Sequence, residues 1–176
     1  DIADNSFTEG EGFLSNRISK QAPFDVNFTI GKFLSSGPQP TVETMIMGAN
    51  ANAHPYIFKS AGTQIFDTIF YAYELVKHQF SISNLPGSGA YTFQFAPQND
   101  PTFAGNLNYM QMAYTKLRYP RSFDFNGDAL PMNMIVNGTA SKILLQMSNV
   151  NAGSPRLYII SGDTVKIVNT GTSGNL

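Results

Sequence analysis

Apolar and polar residues alternate along several short stretches of the chain, and this period of two predicts β-strands. In FDVNFTI, residues 24–30, every second side chain is apolar and the intervening ones are polar. TVETMIM, YIFK, HQFSIS and YTFQF are further predicted strands. Gly, Pro, Asn and Ser residues separate these runs and end regular structure. The first half of the chain therefore reads as a series of short strands.

The second half continues the pattern with four more short apolar runs. These are MNMIV, KILLQMS, PRLYII and DTVKIV, separated by NGTAS, NVNAGS and SGD. Asn126 and Gly127 form an Asn-Gly pair, which is a strong hairpin signal. Strands that recur about every 10 residues between such turns are typical of a sandwich or barrel.

Two stretches have an ambiguous period. In GTQIFDTIFYAYELVKHQFSIS, residues 62–83, five apolar residues between Phe66 and Val76 would form a helical stripe. The same stretch is rich in strand-forming residues, and its tail HQFSIS alternates cleanly. Strands are favoured here, with one short helix near residues 64–76 as the alternative.

The stretch FAGNLNYMQMAYTKLRYP, residues 103–120, fits either period on its own. Its neighbours on both sides are strands and turns, so residues 107–119 are predicted to form one long strand. Met110, Met112 and Tyr114 would then point inward. Leu107 and Leu117 have the opposite parity, which predicts a β-bulge or a covered second face.

Together these patterns predict an all-β fold, a jelly-roll-like antiparallel β-sandwich of the galactose-binding-like type. One domain is expected over residues 23–168. The polar ends, residues 1–22 and 169–176, are expected to be an extended segment and a tail.

Composition removes several classes of function. The 176 residues carry a net charge of −1 and are only 13% charged, so no basic stripe is available for nucleic acid. There is no cysteine, which excludes disulfides, thiolate metal sites and a cysteine nucleophile from these residues. No apolar run reaches the roughly 18 residues that a membrane span needs. The polar start, without a signal-peptide pattern, is expected of a mature or trimmed chain.

The motif DFNGD offers a weak calcium candidate. Asp124, Asn126 and Asp128 occupy alternate positions, as at the start of an EF-hand loop. That loop also requires Gly at its sixth position and Glu at its twelfth, whereas Gly127 is fourth and Ile135 is twelfth. A plain turn is the preferred interpretation, and no cofactor is predicted.

The two histidines, His54 and His78, lie in no recognisable catalytic motif. His54 precedes Pro55 in a predicted loop, and His78 lies on a predicted strand. Both are interpreted as surface or half-buried residues, so no catalytic residue is assigned. A small hydrolase would need one imidazole beside a hydroxyl nucleophile in a cleft.

The tyrosines offer the one candidate binding surface. Exposed aromatic rings can stack on sugars, and Tyr71, Tyr73, Tyr109 and Tyr119 are the candidate ligand-binding residues. The competing interpretation is that they pack on strand faces. Exposure of Tyr109 is taken as the deciding observation.

The later part of the chain resembles a known family. GNLNYMQMAYTKL, a polar hairpin, and KILLQMSNVNAGSPRLYIISGD are similar to the β-sandwich that precedes the catalytic domain in gingipain-like cysteine peptidases, including the type IX secretion sortases of Bacteroidetes. The positions that match the family pattern are Leu107, Asn108, Tyr109, Met110, Met112, Lys116, Leu144, Met147, Ser148 and Asn149, with residues 156–163 in place of the terminal motif. Tyr158 stands where the family has Trp.

The resemblance implies a non-catalytic accessory module, displayed at a bacterial cell surface and associated with the outer membrane. It would pack on or position a neighbouring domain, for which a peptidase is one candidate, or a cell-surface protein. The alternative is a carbohydrate-binding module that uses exposed tyrosines. The implied partners are thus protein or glycan, with no nucleic acid and no membrane span.

Overall fold

A computed structural model of the chain describes residues 14–99, 107–126, 147–150, 157–161 and 164–168. Every regular element among them is a β-strand. In this part of the chain no helix is long and apolar enough to cross a membrane. The nine strands are β1 (Phe24–Ile30), β2 (Thr41–Gly48), β3 (Ala53–Ser60), β4 (Thr63–Tyr71), β5 (Leu75–Ser81), β6 (Gly89–Pro97), β7 (Met110–Arg118), β8 (Leu157–Ser161) and β9 (Thr164–Val168).

Two antiparallel sheets contain the first seven strands. One has the order β1-β6-β3-β4 and the other has the order β5-β2-β7. Except for the β3–β4 hairpin, each connection leads from one sheet to the other, as in a jelly roll. Phe58 on β3 stacks on Phe80 on β5 with ring centroids 5.1 Å apart, so the inner faces pack against each other. The predicted all-β antiparallel sandwich is confirmed.

The clean alternation of β1 and β6 arises because each strand has one buried and one solvated face. On β6, Tyr91, Phe93 and Phe95 are buried, and the side chains between them are less so. Phe58 is fully buried and contacts both phenylalanines of β6 at ring distances of 5.3 and 4.6 Å. Such aromatic pairs contribute about 0.5–1.5 kcal/mol each beyond the area they bury.

The ambiguous stretch over residues 62–83 forms strands, as favoured, and the alternative of a short helix near residues 64–76 is wrong. β4 and β5 are joined by a turn in which Glu74 N–H donates to Tyr71 C=O at 3.2 Å. Ala72 takes a left-handed φ of 52° in that turn. The helical stripe fails because only Phe66, Phe70 and Val76 of its five residues face the core, and they come from two different strands. Ile69 and Tyr73 are exposed.

β7 begins at Met110, three residues later than the predicted strand, and it contains the expected bulge. Met45 of β2 pairs with Tyr114 and Ile46 pairs with Met112, so Ala113 is the extra residue. Met110 and Met112 point inward, as predicted. The prediction that Tyr114 points inward is wrong, because the bulge reverses the parity and Leu117 packs on the core instead.

Tyr114 takes part in a polar cluster on the outer face of the three-stranded sheet. Its hydroxyl donates to Glu43 at 3.0 Å, and this hydrogen bond is the main cause that lowers the pKa of Glu43. Lys77 and Lys116 lie 3.3 and 3.6 Å from the same carboxylate. Lys116 also lies over the Tyr114 ring, 5.1 Å from its centroid.

Within the described part of the segment before β1, residues 14–23, Ile18 contributes to the core. Ile18 is buried, and its N–H and C=O bond to Met110 of β7 at 2.7 and 3.0 Å. Ser15 N–H donates to Met112 C=O at 2.8 Å. A segment expected to be simply polar therefore pairs with the free edge of β7.

The chain divides into two compact units, Asp1–Ser122 and Phe123–Leu176. The described part of the second contains the β8–β9 hairpin and the contact of Phe125 N–H with Ser148 C=O at 2.9 Å. Predicted strand MNMIV and most of KILLQMS lie outside the described residues. The single domain over residues 23–168 and the polar ends stay predictions.

Candidate functional site

Five exposed apolar side chains come from one short stretch that runs from β4 to β5. Within the described residues, β4 is an edge strand of its sheet and β5 is an edge strand of the other. Tyr71 and Tyr73 are the most exposed, at 56% and 64%. We call this set the β4–β5 surface: Ile65, Ile69, Tyr71, Tyr73 and Leu75.

A shallow depression lies beside this surface, on the outer face of β3 and β4. Its volume is about 430 Å³, and Pro55, Ile57 and Ile69 supply apolar walls. Asp67 and Gln98 bring an exposed carboxylate and an amide. Ile69 pairs with Pro55, and Tyr71 follows two residues later on the same face. An apolar floor with two polar groups beside an exposed ring can hold a small polar ligand.

The turn after β4 holds the two exposed tyrosines in place. The Tyr71 N–H donates to Glu74 Oε2 at 3.1 Å, in addition to the bond from the Glu74 N–H to the Tyr71 carbonyl. Ala72 N–H donates to Asn52 C=O at 2.9 Å. The turn is therefore bonded both within itself and to the connection between β2 and β3.

His54, fully buried on β3, lies beneath this turn. Its Nε2 lies 2.8 Å from the Ala72 carbonyl and 3.1 Å from the Asn50 carbonyl. Its Nδ1 lies 2.8 Å from Asn108 Oδ1, and the ring packs on Phe70 at 4.9 Å. We call the region in which these residues meet the His54 end of the sandwich. His54 connects three chain segments and orients the turn that carries the exposed tyrosines.

The expectation that His54 lies in a loop is wrong. β3 starts at Ala53, and Pro55 pairs with Ile69 of β4. On its other side β3 pairs with β6 only from Tyr56 onward, so Pro55 needs no ladder N–H there. The expected surface or half-buried position is also wrong, because long-range partners such as Asn108 enclose the ring.

Gly48 makes this arrangement possible. A Cβ at this position would overlap the Ala72 carbonyl oxygen and lie 2.5 Å from His54 Nε2. The Gly48 N–H donates to Glu74 C=O at 3.1 Å. The close approach of the turn to β2 therefore requires glycine.

The four candidate tyrosines separate into three groups. Tyr71 and Tyr73 belong to the β4–β5 surface. Tyr109 reaches the same end, where its carbonyl accepts the Ala49 N–H at 2.9 Å, but it is half-buried with the Arg17 guanidinium 5.6 Å from its ring centroid. Tyr119 lies at the opposite end, edge-on to Phe33, with its hydroxyl accepting the Gly31 N–H at 3.3 Å. Sequence reasoning missed Asp67, Ile69 and Gln98, although the alternation of β4 could have found the first two.

The calcium candidate stays a prediction. Asp124 Oδ1 accepts the Asn126 N–H at 3.0 Å and the Asn149 amide at 2.8 Å, so it closes a turn. Asp128 lies outside the described residues. Where the chain is described, no group of three His, Cys, Asp or Glu side chains could hold a metal ion.

His78 lies in surroundings quite unlike those of His54. It is half-buried on β5, its ring lies 5.0 Å from Phe66 and 6.1 Å from Tyr56, and burial lowers its pKa. Neither its Nε2 nor the buried Tyr56 hydroxyl has a hydrogen-bond partner in the described structure. Burial raises the Tyr56 pKa. Over the same residues, no hydrogen bond joins either imidazole to a hydroxyl group.

No family model matches the chain. No curated protein matches it either.

Among solved structures, the chain is similar to a carbohydrate-binding module, CBM36, in complex with calcium and xylotriose. The identity is 9% and the TM-score 0.42, over 58% of this chain and 78% of that one. It is also similar to dimeric latent PorU from Porphyromonas gingivalis, at 13% identity and a TM-score of 0.45, over 69% of this chain. The match spans only 12% of the PorU chain.

A third similar structure is the CBM36-1 domain of a multidomain xylanase from the hindgut metagenome of Trinervitermes trinervoides. Its identity is 12% and its TM-score 0.37, over 56% of this chain and 73% of that domain. These likenesses are distant and concern the fold alone. The similarity to PorU therefore supports the resemblance noted in the sequence only at the level of the fold.

Proposed function

We propose that this chain is a non-catalytic accessory module of a secreted or cell-surface bacterial protein and that it packs on a neighbouring domain through the β4–β5 surface. One observation carries the proposal. Among the described residues, five exposed apolar side chains lie close together in sequence on β4, β5 and the turn between them, and these two strands are edge strands of the two sheets.

Such an edge is a liability for a protein that leaves it uncovered. Exposed edge strands usually carry lysine or proline or are short, because they otherwise pair with other chains. β4 has nine residues, no lysine and no proline, and Asp67 is its only charge. A partner that pairs with the edge of β4 and covers Ile69 would remove this hazard.

Two buried polar atoms without a described partner lie behind this surface. The Tyr56 and His78 rings both contact Phe66 of β4, and each has a buried polar atom without a described partner. An unsatisfied buried polar group costs about 1–3 kcal/mol. The partner is a domain of the same polypeptide or a cell-surface protein.

Hydrogen exchange of the chain alone and of the full-length natural protein tests this proposal. Amides of residues 63–81 should become more protected in the full-length protein, while those of β1, at the far edge of the same sheet, should not change. The Ile69→Lys variant should lose the added protection, and the matched Thr29→Lys variant on β1 should retain it. Equal exchange of residues 63–81 in both forms would overturn the proposal.

A second candidate function is carbohydrate binding. Tyr71 and Tyr73 offer exposed rings beside the depression, where Asp67 and Gln98 could hydrogen-bond to sugar hydroxyls. Ring stacking with polar groups beside it is a mode suited to glycans. Tyr109 contributes less, because Arg17 lies over its ring.

Isothermal titration with soluble polysaccharides tests this second function. Tyr71→Ala and Tyr73→Ala should each weaken binding about two- to tenfold, the worth of one aromatic contact. Tyr158→Ala removes a comparably exposed ring on β8 and should leave affinity unchanged. A titration that is silent with every polysaccharide, or one that all three variants alter equally, rejects glycan binding at this site.

A further inference from the structure

The ring of His54 has a hydrogen-bond acceptor at each of its two nitrogens. The carbonyl oxygens of Ala72 and Asn50 lie at Nε2, and carbonyls only accept hydrogen bonds. Nε2 therefore carries a proton. The remaining question is whether Nδ1, 2.8 Å from Asn108 Oδ1, carries one as well.

The orientation of the Asn108 amide answers that question. Its Nδ2 lies 2.8 Å from the Pro55 carbonyl and 2.9 Å from the Gln98 carbonyl. If the amide were reversed, its oxygen would face both carbonyls and no donor would be left between them. The oxygen must therefore face His54, and only an N–H at Nδ1 gives that 2.8 Å contact a donor.

We infer that His54 is held as a buried imidazolium, and that the bound proton fastens β3 to the segment before β7. The site binds a proton between His54 Nδ1 and Asn108 Oδ1. This inference is independent of what binds the β4–β5 surface.

The groups that contact the ring are uncharged. Phe70 packs on it, Gly48 lies against Nε2, and the three acceptors are amide oxygens. No ionisable side chain among the described residues hydrogen-bonds it, so the amide dipoles alone stabilise the charge. Several ionisable residues lie on the elements around it. These are Glu43 on β2, Tyr56 and Lys59 on β3, Asp67, Tyr71, Tyr73 and Glu74 on β4 and its turn, Tyr109 with Arg17 over its ring, and His78 past Phe70.

If the imidazolium lost a proton, that proton would leave from Nδ1. A deprotonated Nε2 would face two carbonyl oxygens, whereas a deprotonated Nδ1 faces only one amide oxygen. Two lone pairs would then oppose each other between His54 and Asn108, while the Nε2 bond to Ala72 would stay intact. Contacts that rely on Asn108 would loosen, among them the bond from the Ala49 N–H to the Tyr109 carbonyl at 2.9 Å. The His54–Asn108 hydrogen bond therefore holds while the proton is bound and is lost when the proton leaves.

The first test reads the ring directly. A ¹⁵N-labelled His78→Phe variant leaves His54 as the only histidine, so its two ring nitrogens can be observed without ambiguity. Both should carry a proton at neutral pH, because each faces an oxygen acceptor. One bare nitrogen at neutral pH would overturn the inference.

The second test uses the wild-type chain, so it does not depend on the folding of any variant. After correction for the intrinsic exchange rate, protection of the Ala49 amide should fall about ten- to hundredfold once the shared proton is lost at alkaline pH, the worth of one charge-assisted hydrogen bond. The Ala61 amide, bonded to the Thr92 carbonyl at the opposite end, should not change. Equal changes at both amides, or no change at Ala49, would contradict a proton bound between His54 and Asn108.

Discussion

The two histidines lie on facing sheets, and the molecule treats them in opposite ways. At the His54 end, both ring nitrogens meet backbone or amide oxygens and the ring is fully buried. On the β4–β5 side, His78 is half-buried among Phe66, Phe80 and Tyr56, and its Nε2 has no described partner. One region is complete in its hydrogen bonding, and the other is not.

This difference separates a region that is fixed by hydrogen bonds from the surface on which we propose that a partner docks. Three chain segments converge on His54 and hold the turn with Tyr71 and Tyr73 by local bonds. The β4–β5 side has exposed apolar residues outside and unsatisfied polar atoms behind them. The closed region gives the open one a defined shape, which is what a docking surface requires.

The largest effect on stability is expected from a substitution at Gly48, where the turn after β4 approaches β2 most closely. Gly48→Ala would push a methyl group into the Ala72 carbonyl and against His54. Backbone cannot yield as a flexible side chain does, so we expect a loss of about 4 kcal/mol or more in the free energy of unfolding. Urea denaturation measures it.

Gly31→Ala is the matched control for this change. No atom lies within 4 Å of a Cβ at Gly31, and its φ is not in the left-handed region. It should shift stability by less than about 1 kcal/mol. Similar losses in the two variants would mean that the approach of the turn to β2 is not what makes Gly48 necessary.

The next effect concerns the satisfied histidine itself. His54→Phe keeps a ring against Phe70 but leaves the Ala72 and Asn50 carbonyls and Asn108 Oδ1 without their donor. We expect a loss of about 3 kcal/mol, because each unsatisfied buried group costs about 1–3 kcal/mol and part of it relaxes. Thermal and urea unfolding check this value, and a cost below about 1 kcal/mol would contradict the role given to His54.

Sequence reasoning succeeded where a strand pairs regularly and one face is buried. Phe24 to Ile30 and Tyr91 to Phe95 alternate because each inward position meets the other sheet, so their strands were confirmed. The prediction for Tyr114 failed because a single extra residue, Ala113, reverses the face on which every later side chain of β7 lies. The pattern suggested a bulge but could not give its position.

The site was less predictable than the fold for a physical reason. His54 bonds to Asn108, which is 54 residues away, and to carbonyls in two turns, and such contacts leave no local period. The tyrosines were recognised as a type, but their exposure depends on neighbours. Arg17 covers part of Tyr109, and Tyr119 packs on Phe33.

A smaller and opposite effect is expected for the unsatisfied histidine. His78→Phe removes a buried nitrogen that has no described partner and adds an apolar ring among Phe66 and Phe80. We expect a gain of about 0.5 kcal/mol at neutral pH, reduced from the full value because the residue is half-buried. If His78→Phe costs as much as His54→Phe in paired urea melts, the contrast between the two regions is wrong.

The smallest effect is the pH dependence that His78 contributes. Burial lowers its pKa below the ordinary 6.5, so the folded chain binds fewer protons than the unfolded chain between the two pKa values. Stability therefore falls as the pH drops from about 6.5 through the lowered pKa, and it is unaffected by His78 above that range. The difference in unfolding free energy between wild type and His78→Phe isolates this contribution, since carboxylates titrate alike in both. That difference should widen in favour of the variant toward acid pH. A constant difference would mean that the ring is as free to take up a proton in the fold as in the unfolded chain, and that the β4–β5 side is less apolar than its contacts indicate.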